Sequence, residues 1–216
     1  MAPAASVLIV DDHAIVCFGL AQILADDRRF VVCGEAASAD EARRLTERQR
    51  PTLAIVDLVM GGRDDLGLVR ELLCLSPGMR ILVYSAQPEL VYAARAFEAG
   101  AHGYLMKDAG VQAVPEALGA LMRGERWASS AVQRAMFQRA AGGAPPVGGL
   151  DDLSDRELQV LRLLGGGLGT AEIAHRLALS MKTVGTYRER LKSKLAVDNA
   201  QQLERRAADF VRTGKI

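Results

Sequence analysis

The sequence predicts an α/β domain with a parallel sheet, followed by a small all-α domain. One observation is that short apolar runs alternate with amphipathic helical stretches over residues 1–124. Another is that the chain beyond residue 150 contains helical patterns only. A third is the glycine- and proline-rich stretch 141–149, which cannot sustain a helix or a central strand. We therefore predict domains at 1–124 and 150–216, with a linker helix and a Gly/Pro linker within 125–149.

Five apolar runs of strand length are expected to form the sheet, at 7–10, 30–33, 53–56, 81–84 and 103–106. The stretches between and after them predict helices at about 13–26, 39–48, 65–75, 89–99 and 111–123. Strands that are apolar throughout and alternate with helices are typical of a parallel sheet covered on both faces. A further short helix is predicted at 125–140, with Ser129 or Ser130 as its N-cap.

The C-terminal part is divided by helix caps. Ser154 and Glu157 have the spacing of a capping box, and a run of three glycines ends the helix that follows. Thr170, Ser180 and Asn199 are placed to cap three more helices. The second and third of these four helices, joined by a short turn, are expected to form a helix-turn-helix.

Polar side chains stand at the carboxyl end of four predicted strands. Asp11 and Asp12 follow the first strand, Asp57 the third, Ser85 the fourth and Lys107 the fifth. Open α/β sheets form their ligand sites at this edge. An acid pair, an acceptor carboxylate, a hydroxyl and a lysine predict a site that binds Mg²⁺ and takes a phosphoryl group onto Asp57.

Each residue of this group has a predicted role. Asp12 and Asp57 are expected to bind Mg²⁺, with Asp11 acting through a water and the backbone carbonyl of Val59 completing the protein ligands. The Ser85 hydroxyl and the Lys107 ammonium are expected to bind phosphate oxygens. Two structural alternatives stay open: Asp12 as the N-cap of the helix near residue 13, and a solvated lysine.

Residues 6–124 resemble the receiver domain of bacterial two-component response regulators. The matching motifs are Val10-Asp11-Asp12-His13, Asp57-Leu58-x-Met60, Ser85 and Ala99-Gly100-Ala101-x-Gly103-Tyr104-Leu105-x-Lys107. The resemblance implies a flavodoxin-like fold with strand order 2-1-3-4-5 and Mg²⁺-dependent phosphoryl transfer from a histidine kinase. It also implies a switch in which Ser85 couples to Tyr104, whose ring swings inward on phosphorylation.

The acceptor loop departs from the receiver pattern. Gly61 stands where the family usually has proline, and Asp65 where it usually has glycine. These residues predict that the segment 60–65 is more mobile and more charged than in the family.

The third C-terminal helix is predicted to lie in a major groove of DNA, because one face carries polar and cationic groups. Its opposite face, with Val184, Leu191 and Leu195, is apolar. Thr186 and Glu189 are expected to reach base edges, and Gly185 to permit close approach. Tyr187 lies between the two faces and is expected either to pack against the helix bundle or to contact a backbone phosphate. The candidates for phosphate contacts are Lys182, Thr183, Arg188, Arg190, Lys192 and Lys194. By charge alone, a solvated surface helix is the competing interpretation.

Residues 150–213 resemble the LuxR-type helix-turn-helix, through Leu153-Ser154-x-Arg156-Glu157, Glu172-Ile173-Ala174, Ser180-x-Lys182-Thr183-Val184 and Lys194-Leu195-x-Val197. The two resemblances, in this order, are those of the NarL/FixJ family. The stretch Thr186-Tyr187-Arg188 has tyrosine where histidine is usual. In this it resembles the subgroup of virulence and acid-stress regulators that contains BvgA and EvgA. The family implies a homodimer on phosphorylation, with Leu203, Ala207 and Phe210 of the last helix as the DNA-bound dimer contact.

Composition agrees with a cytoplasmic regulator. Residues 1–124 carry 16 acidic against 12 basic side chains, and residues 151–216 carry 12 basic against 9 acidic ones. This charge split favours two tasks, one of them on nucleic acid. Three cysteines without metal-type spacing indicate reduced thiols, and no apolar run is long enough to span a membrane.

The expected function is that of a phosphorylation-regulated transcription factor and not an enzyme. Its expected partners are a histidine kinase and double-stranded promoter DNA, with RNA polymerase as a further candidate. Two alternatives remain: a metal-dependent phosphatase with Asp57 as nucleophile, and a regulator that dimerises without phosphorylation.

Overall fold

The computed structural model describes residues 3–61, 63–64, 66–142 and 149–214, the side chains of 63 and 64 excepted. It divides into two compact units, Met1–Gln133 and Arg134–Ile216. Most of the predicted linker at 141–149 lies outside the described residues, and so does Asp65. The expected domain boundaries stay predictions.

The strands of the first unit are, in chain order, β1 (Ala5–Val10), β2 (Phe30–Ala36), β3 (Leu53–Val56), β4 (Val59–Met60), β5 (Arg63–Asp64), β6 (Arg80–Ser85) and β7 (Gly103–Met106). Five of them form one parallel sheet in the order β2-β1-β3-β6-β7. Because β4 and β5 form a separate antiparallel pair, this is the predicted order 2-1-3-4-5 of the sheet strands. The predicted flavodoxin-like architecture is confirmed.

The helices of this unit are α1 (Ala14–Ala25), α2 (Ala39–Gln49), α3 (Leu66–Leu75), α4 (Glu89–Glu98) and α5 (Val114–Met122). Apolar side chains of α1 and α5 pack with one face of the sheet into a core that includes Leu20, Ile55 and Leu118. The helix α3 contacts both α2 and α4, and α4 contacts β7. Successive side chains of a strand point to opposite faces of the sheet. Because helices cover both faces, the side chains on both are apolar, and the polar residues of the site stand at the strand ends.

The prediction of a helix over 125–140 is wrong for its first five residues. The helix α6 spans Ser130–Ala140, and Ser129 is its cap, because its Oγ accepts from the amide of Val132 at 3.2 Å. Residues 125–129 lie outside the helix, and Trp127 forms a parallel bridge with Gly103 of β7. Local polarity cannot reveal this pairing, since it depends on an open strand edge elsewhere in the chain.

The second unit contains α7 (Asp155–Gly165), α8 (Thr170–Leu177), α9 (Met181–Lys194) and α10 (Ala200–Thr213). The capping box of Ser154 and Glu157 is present with both of its hydrogen bonds. Ser180 caps α9 and Asn199 caps α10, as predicted.

The predicted cap of α8 needs correction. Thr170 is the first helical residue, and Gly169 occupies the N-cap position. Glu172 accepts a hydrogen bond from the Gly169 amide at 2.7 Å. The start of the helix is therefore stabilised by a glutamate in its first turn rather than by a threonine hydroxyl.

Candidate functional site

Asp57 lies at the carboxyl end of β3, where its side chain is buried and fully engaged. The Ser85 hydroxyl donates to its Oδ1 at 2.7 Å, and the Val59 amide donates to the same oxygen at 3.2 Å. Lys107 Nζ donates to its Oδ2 at 2.7 Å. The three sheet-edge residues that were predicted to act together are therefore in direct contact, and the Val59 backbone lies beside the carboxylate.

Lys107 joins two carboxylates. Its Nζ lies 2.6 Å from Asp11 Oδ2 and 2.7 Å from Asp57 Oδ2. Burial by itself lowers the pKa of this lysine, but the hydrogen bonds and charges of Asp11 and Asp57 outweigh burial and raise it. Lys107 therefore stays a cation at neutral pH and holds the two buried carboxylates together.

Asp11, Asp12, His13 and Asp57 form a cluster in which one ligand atom from each residue lies within 4.8 Å of the others. The His13 ring nitrogen Nδ1 is 3.0 Å from Asp11 Oδ1 and 2.8 Å from Asp12 Oδ1. Three carboxylates at this spacing are a suitable ligand set for a hard divalent cation. The spacing of the histidines does not single out His13 as a ligand, although its position directly after the acid pair is a usable signal.

The backbone amide of Gly61 is a hydrogen-bond donor to the acid pair. Its amide donates to Asp12 Oδ2 at 2.7 Å, and its φ of 57° is a left-handed conformation that favours glycine. Proline, which the receiver pattern usually has here, lacks the N–H and cannot adopt this φ. The departure at Gly61 thus orients Asp12, a consequence that the sequence did not indicate.

Tyr104 is buried in β7, and its hydroxyl donates to the backbone carbonyl of Gln87 at 2.9 Å. Gln87 lies two residues after Ser85 and directly before Pro88, the N-cap of α4. The ring that was expected to swing inward therefore lies inward in this structure, tied to the loop that leads from Ser85 to α4.

The helix α9 has the predicted division into two faces. Val184 and Leu191 are buried, whereas Lys182, Thr186 and Glu189 are exposed. A Cβ added at Gly185 would meet no atom within 4 Å. Of the remaining predicted contacts, Arg190 is exposed, and Thr183, Tyr187 and Lys192 are half-buried.

Three of the cations that were predicted to contact phosphates are paired with acidic groups of the second unit. Lys192 Nζ lies 2.8 Å from Glu189 Oε2. Lys194 Nζ lies 2.7 Å from Glu157 Oε2 and 2.9 Å from the carbonyl of Asp152. Arg188 donates to Glu204 Oε1 at 3.0 Å. Burial tends to raise the pKa of Glu157, but hydrogen bonds from Lys194 and Ser154 outweigh burial and lower it. Each of these cations would have to leave a partner before it could bind DNA.

The predicted dimer contact lies on the wrong side of α10. Leu203, Ala207 and Phe210 are at most 1% exposed and lie on the side of α10 that packs in the second unit, against α7. The i, i+4, i+7 pattern that suggested an interface is the stripe by which this helix joins the core. Any dimer contact of α10 must use its exposed side, which includes Arg205, Arg206 and Val211.

The comparisons with known proteins agree with both halves of the chain. The family model of the response regulator receiver domain matches residues 7–119, and that of the luxR family of bacterial regulatory proteins matches residues 151–207. Response regulator GacA of Pseudomonas aeruginosa is 31% identical over 201 residues, covering 91% of this chain and 92% of that protein. Response regulator UvrY of Escherichia coli K12 is 31% identical over 198 residues, covering 92% and 91%.

Solved structures of response regulators are similar to this chain over most of its length. The response regulator RcsB of Salmonella typhimurium has a TM-score of 0.75 at 26% identity, covering 96% of this chain and 98% of that one. RcsB of Salmonella enterica serovar Typhimurium bound to promoter P1flhDC, in the presence of the phosphomimetic BeF₃⁻, has a TM-score of 0.71 at 27% identity, covering 95% and 98%.

The fold and the site define a two-component DNA-binding regulator with a receiver domain and a LuxR-type helix-turn-helix domain. The chain belongs to the LuxR-type response regulators of the NarL/FixJ family. Because this family consists of transcription regulators, the phosphatase alternative is set aside. The more detailed likeness to BvgA and EvgA stays a prediction. Among the described helices, none combines the length and apolar character that crossing a bilayer requires.

Proposed function

We propose that this protein is a cytoplasmic transcription factor that is switched by phosphorylation of Asp57. A histidine kinase is the proposed phosphodonor, and promoter DNA bound by a homodimer is the proposed target. The proposal rests above all on one observation, the contact of Asp57 with both Ser85 and Lys107 beside an acid pair. RNA polymerase is a further candidate partner of the DNA-bound form.

The proposed chemistry is a transfer from phosphohistidine to a carboxylate. An oxygen of Asp57 forms a bond to phosphorus while the phosphorus–nitrogen bond breaks, and the leaving imidazole nitrogen takes a proton. The Lys107 ammonium and the Ser85 hydroxyl, which now bind the two Asp57 oxygens, would then bind oxygens of the phosphoryl group. Both donors lie within hydrogen-bond distance of the acceptor carboxylate, and each would exchange a carboxylate oxygen for a phosphoryl oxygen.

Mg²⁺ is the proposed cofactor, held by Asp12, Asp57 and the Val59 backbone carbonyl, with Asp11 acting through a water. The carboxylates fit this ion because their oxygens already converge and are hard ligands. The bound ion would offset the negative charge between acceptor and phosphoryl group.

The proposed DNA contact is made by α9 in a major groove. Thr186 and Glu189 are proposed to contact base edges, with Gly185 permitting close approach, because this side of the helix is open to solvent. Phosphate contacts are assigned first to Lys182 and Arg190, which are exposed and lie outside the core stripe. The RcsB–promoter complex supports this use of the fold.

The acceptor assignment is tested by incubation with Mg²⁺ and a small acyl phosphate donor. Wild-type protein should incorporate acid-labile phosphate, and Asp57→Asn should incorporate none because the nucleophilic oxygen is lost. Asp12→Ala should need far more Mg²⁺, since one ligand is missing. Asp26→Asn, at the far end of α1, is the matched control and should behave as wild type. Full labelling of Asp57→Asn would contradict the proposal.

A further inference from the structure

Residues 125–129, here called the edge segment, extend the parallel sheet beyond its last strand. The Tyr104 amide donates to the Trp127 carbonyl at 2.9 Å, and the Trp127 amide donates to the His102 carbonyl at 3.2 Å. A Cβ on Gly103 would lie 3.1 Å from the Trp127 Cβ, so the glycine permits this close approach. The backbone that carries Tyr104 is thus hydrogen-bonded to the segment that leads into α6.

The edge segment is also bound to α4 through side chains. The Ser129 hydroxyl donates to Glu89 Oε1 at 2.7 Å while it accepts from the Val132 amide as the cap of α6. The Arg126 guanidinium lies 5.6 Å from the centre of the Phe97 ring, within the range of a cation–π contact. Glu89 is in the first turn of α4, and Phe97 is near its end. Both ends of α4 therefore contact the edge segment.

The loop that precedes α4 and the strand β7, which pairs with the edge segment, both lead to the acceptor site. Ser85 donates to Asp57, and two residues later the Gln87 carbonyl accepts from Tyr104 in β7. A phosphoryl group on Asp57 would compete for the Ser85 hydroxyl. Since Ser85 and Glu89 are joined by a short loop, a shift of that loop would move the carboxylate that Ser129 donates to.

We infer that the edge segment transmits the state of Asp57 to α6, with the Glu89–Ser129 hydrogen bond as the coupling contact; this rests on the proposed function. The element that changes between two conformations is the start of α4 together with Tyr104. Phosphorylation of Asp57 and the capping of α6 by Ser129 each shift the equilibrium between these conformations. Glu89 and Ser129 act through other residues, so they are positioning residues and neither touches phosphate or DNA.

The test measures how many-fold phosphorylation raises the affinity of full-length protein for DNA. The probe is a duplex selected from a random pool by phosphorylated wild-type protein, and a small acyl phosphate is the donor. Ser129→Asn keeps a capping oxygen and an amide that can donate to Glu89, so it should respond as wild type. Ser129→Asp keeps the cap but cannot donate and faces Glu89 with a like charge, so its response should fall at least fivefold.

A swap of donor and acceptor completes the design. In Glu89→Gln with Ser129→Asp, the glutamine amide can donate to the aspartate, and the response should return. Phosphate incorporation at Asp57 should be equal in all variants. A full response in Ser129→Asp, or an equal loss in Ser129→Asn, would overturn the inference. Wild-type protein that takes up phosphate without any gain in DNA affinity would overturn the proposed function, and the inference with it.

Discussion

The ammonium group of Lys194 lies 2.7 Å from the buried carboxylate of Glu157, whose own pKa is lowered. That carboxylate also accepts from the amide and the hydroxyl of Ser154. A buried charge that loses its partner is costly, so DNA phosphates would have to replace this contact at a net loss. At the scale of the single residue, Lys194 is therefore a link between α7 and α9.

Two lysines of one helix are predicted to respond differently to substitution. Lys182→Met should lower the slope of log affinity against log salt by about 1, because one phosphate contact is lost. Lys194→Met should keep the wild-type slope and lower the free energy of unfolding by about 2 kcal/mol, because Glu157 is left buried and unpaired. Binding titrations across salt concentrations and denaturant unfolding measure the two effects. A slope change for Lys194→Met equal to that of Lys182→Met would restore the phosphate assignment.

At the scale of the element, the glycines of α7 and α9 have opposite surroundings. A Cβ at Gly165, the last residue of α7, would overlap with the backbone carbonyl of Ala207 in α10. A Cβ at Gly185 in α9 would meet nothing within 4 Å. Gly165 is therefore needed for close helix packing, whereas Gly185 is not needed by the fold and weakens its own helix.

The two glycines form a matched pair for alanine substitution. Gly165→Ala should lower the free energy of unfolding by about 2 kcal/mol, since the added methyl group overlaps with backbone. Gly185→Ala should raise it by about 0.5–1 kcal/mol, through helix propensity. If α9 approaches DNA closely at Gly185, this more stable variant should bind operator DNA less tightly. Unchanged affinity in Gly185→Ala would argue against close approach there.

At the scale of the whole molecule, an acidic receiver and a basic DNA-binding domain share one chain. Opposite charges on linked domains attract at low salt, and the attraction is screened as the ionic strength rises. The glycine- and proline-rich sequence of residues 141–149 predicts that the domains can associate or separate without strain in either core. From this charge distribution we predict a resting state in which the receiver opposes DNA binding.

The fragment 150–216 is predicted to bind operator DNA more tightly than unphosphorylated full-length protein at equal concentration. The difference should narrow at moderate salt, because screening weakens the interdomain attraction. Fluorescence anisotropy with a labelled duplex at two salt concentrations provides the measurement. Weaker binding by the fragment would mean that control rests on dimerisation of the receiver alone.

The sequence by itself determined the features that follow from local periodicity and strand ends. Apolar runs and caps predicted the sheet strands and most helices, since burial and capping act on residues close in the chain. The contacts of Asp57 with Ser85 and Lys107 were also predictable, because parallel strands bring their carboxyl ends to one edge.

Only the tertiary structure decided which polar groups meet partners from distant parts of the chain. The donation from Gly61 to Asp12, the pairing of Lys194 with Glu157, and the addition of Trp127 to β7 are contacts of this kind. The burial of the apolar stripe in α10 is another, because periodicity shows that a helix has an apolar face but not what covers it. Such contacts depend on backbone geometry and open edges that form only when the elements have packed.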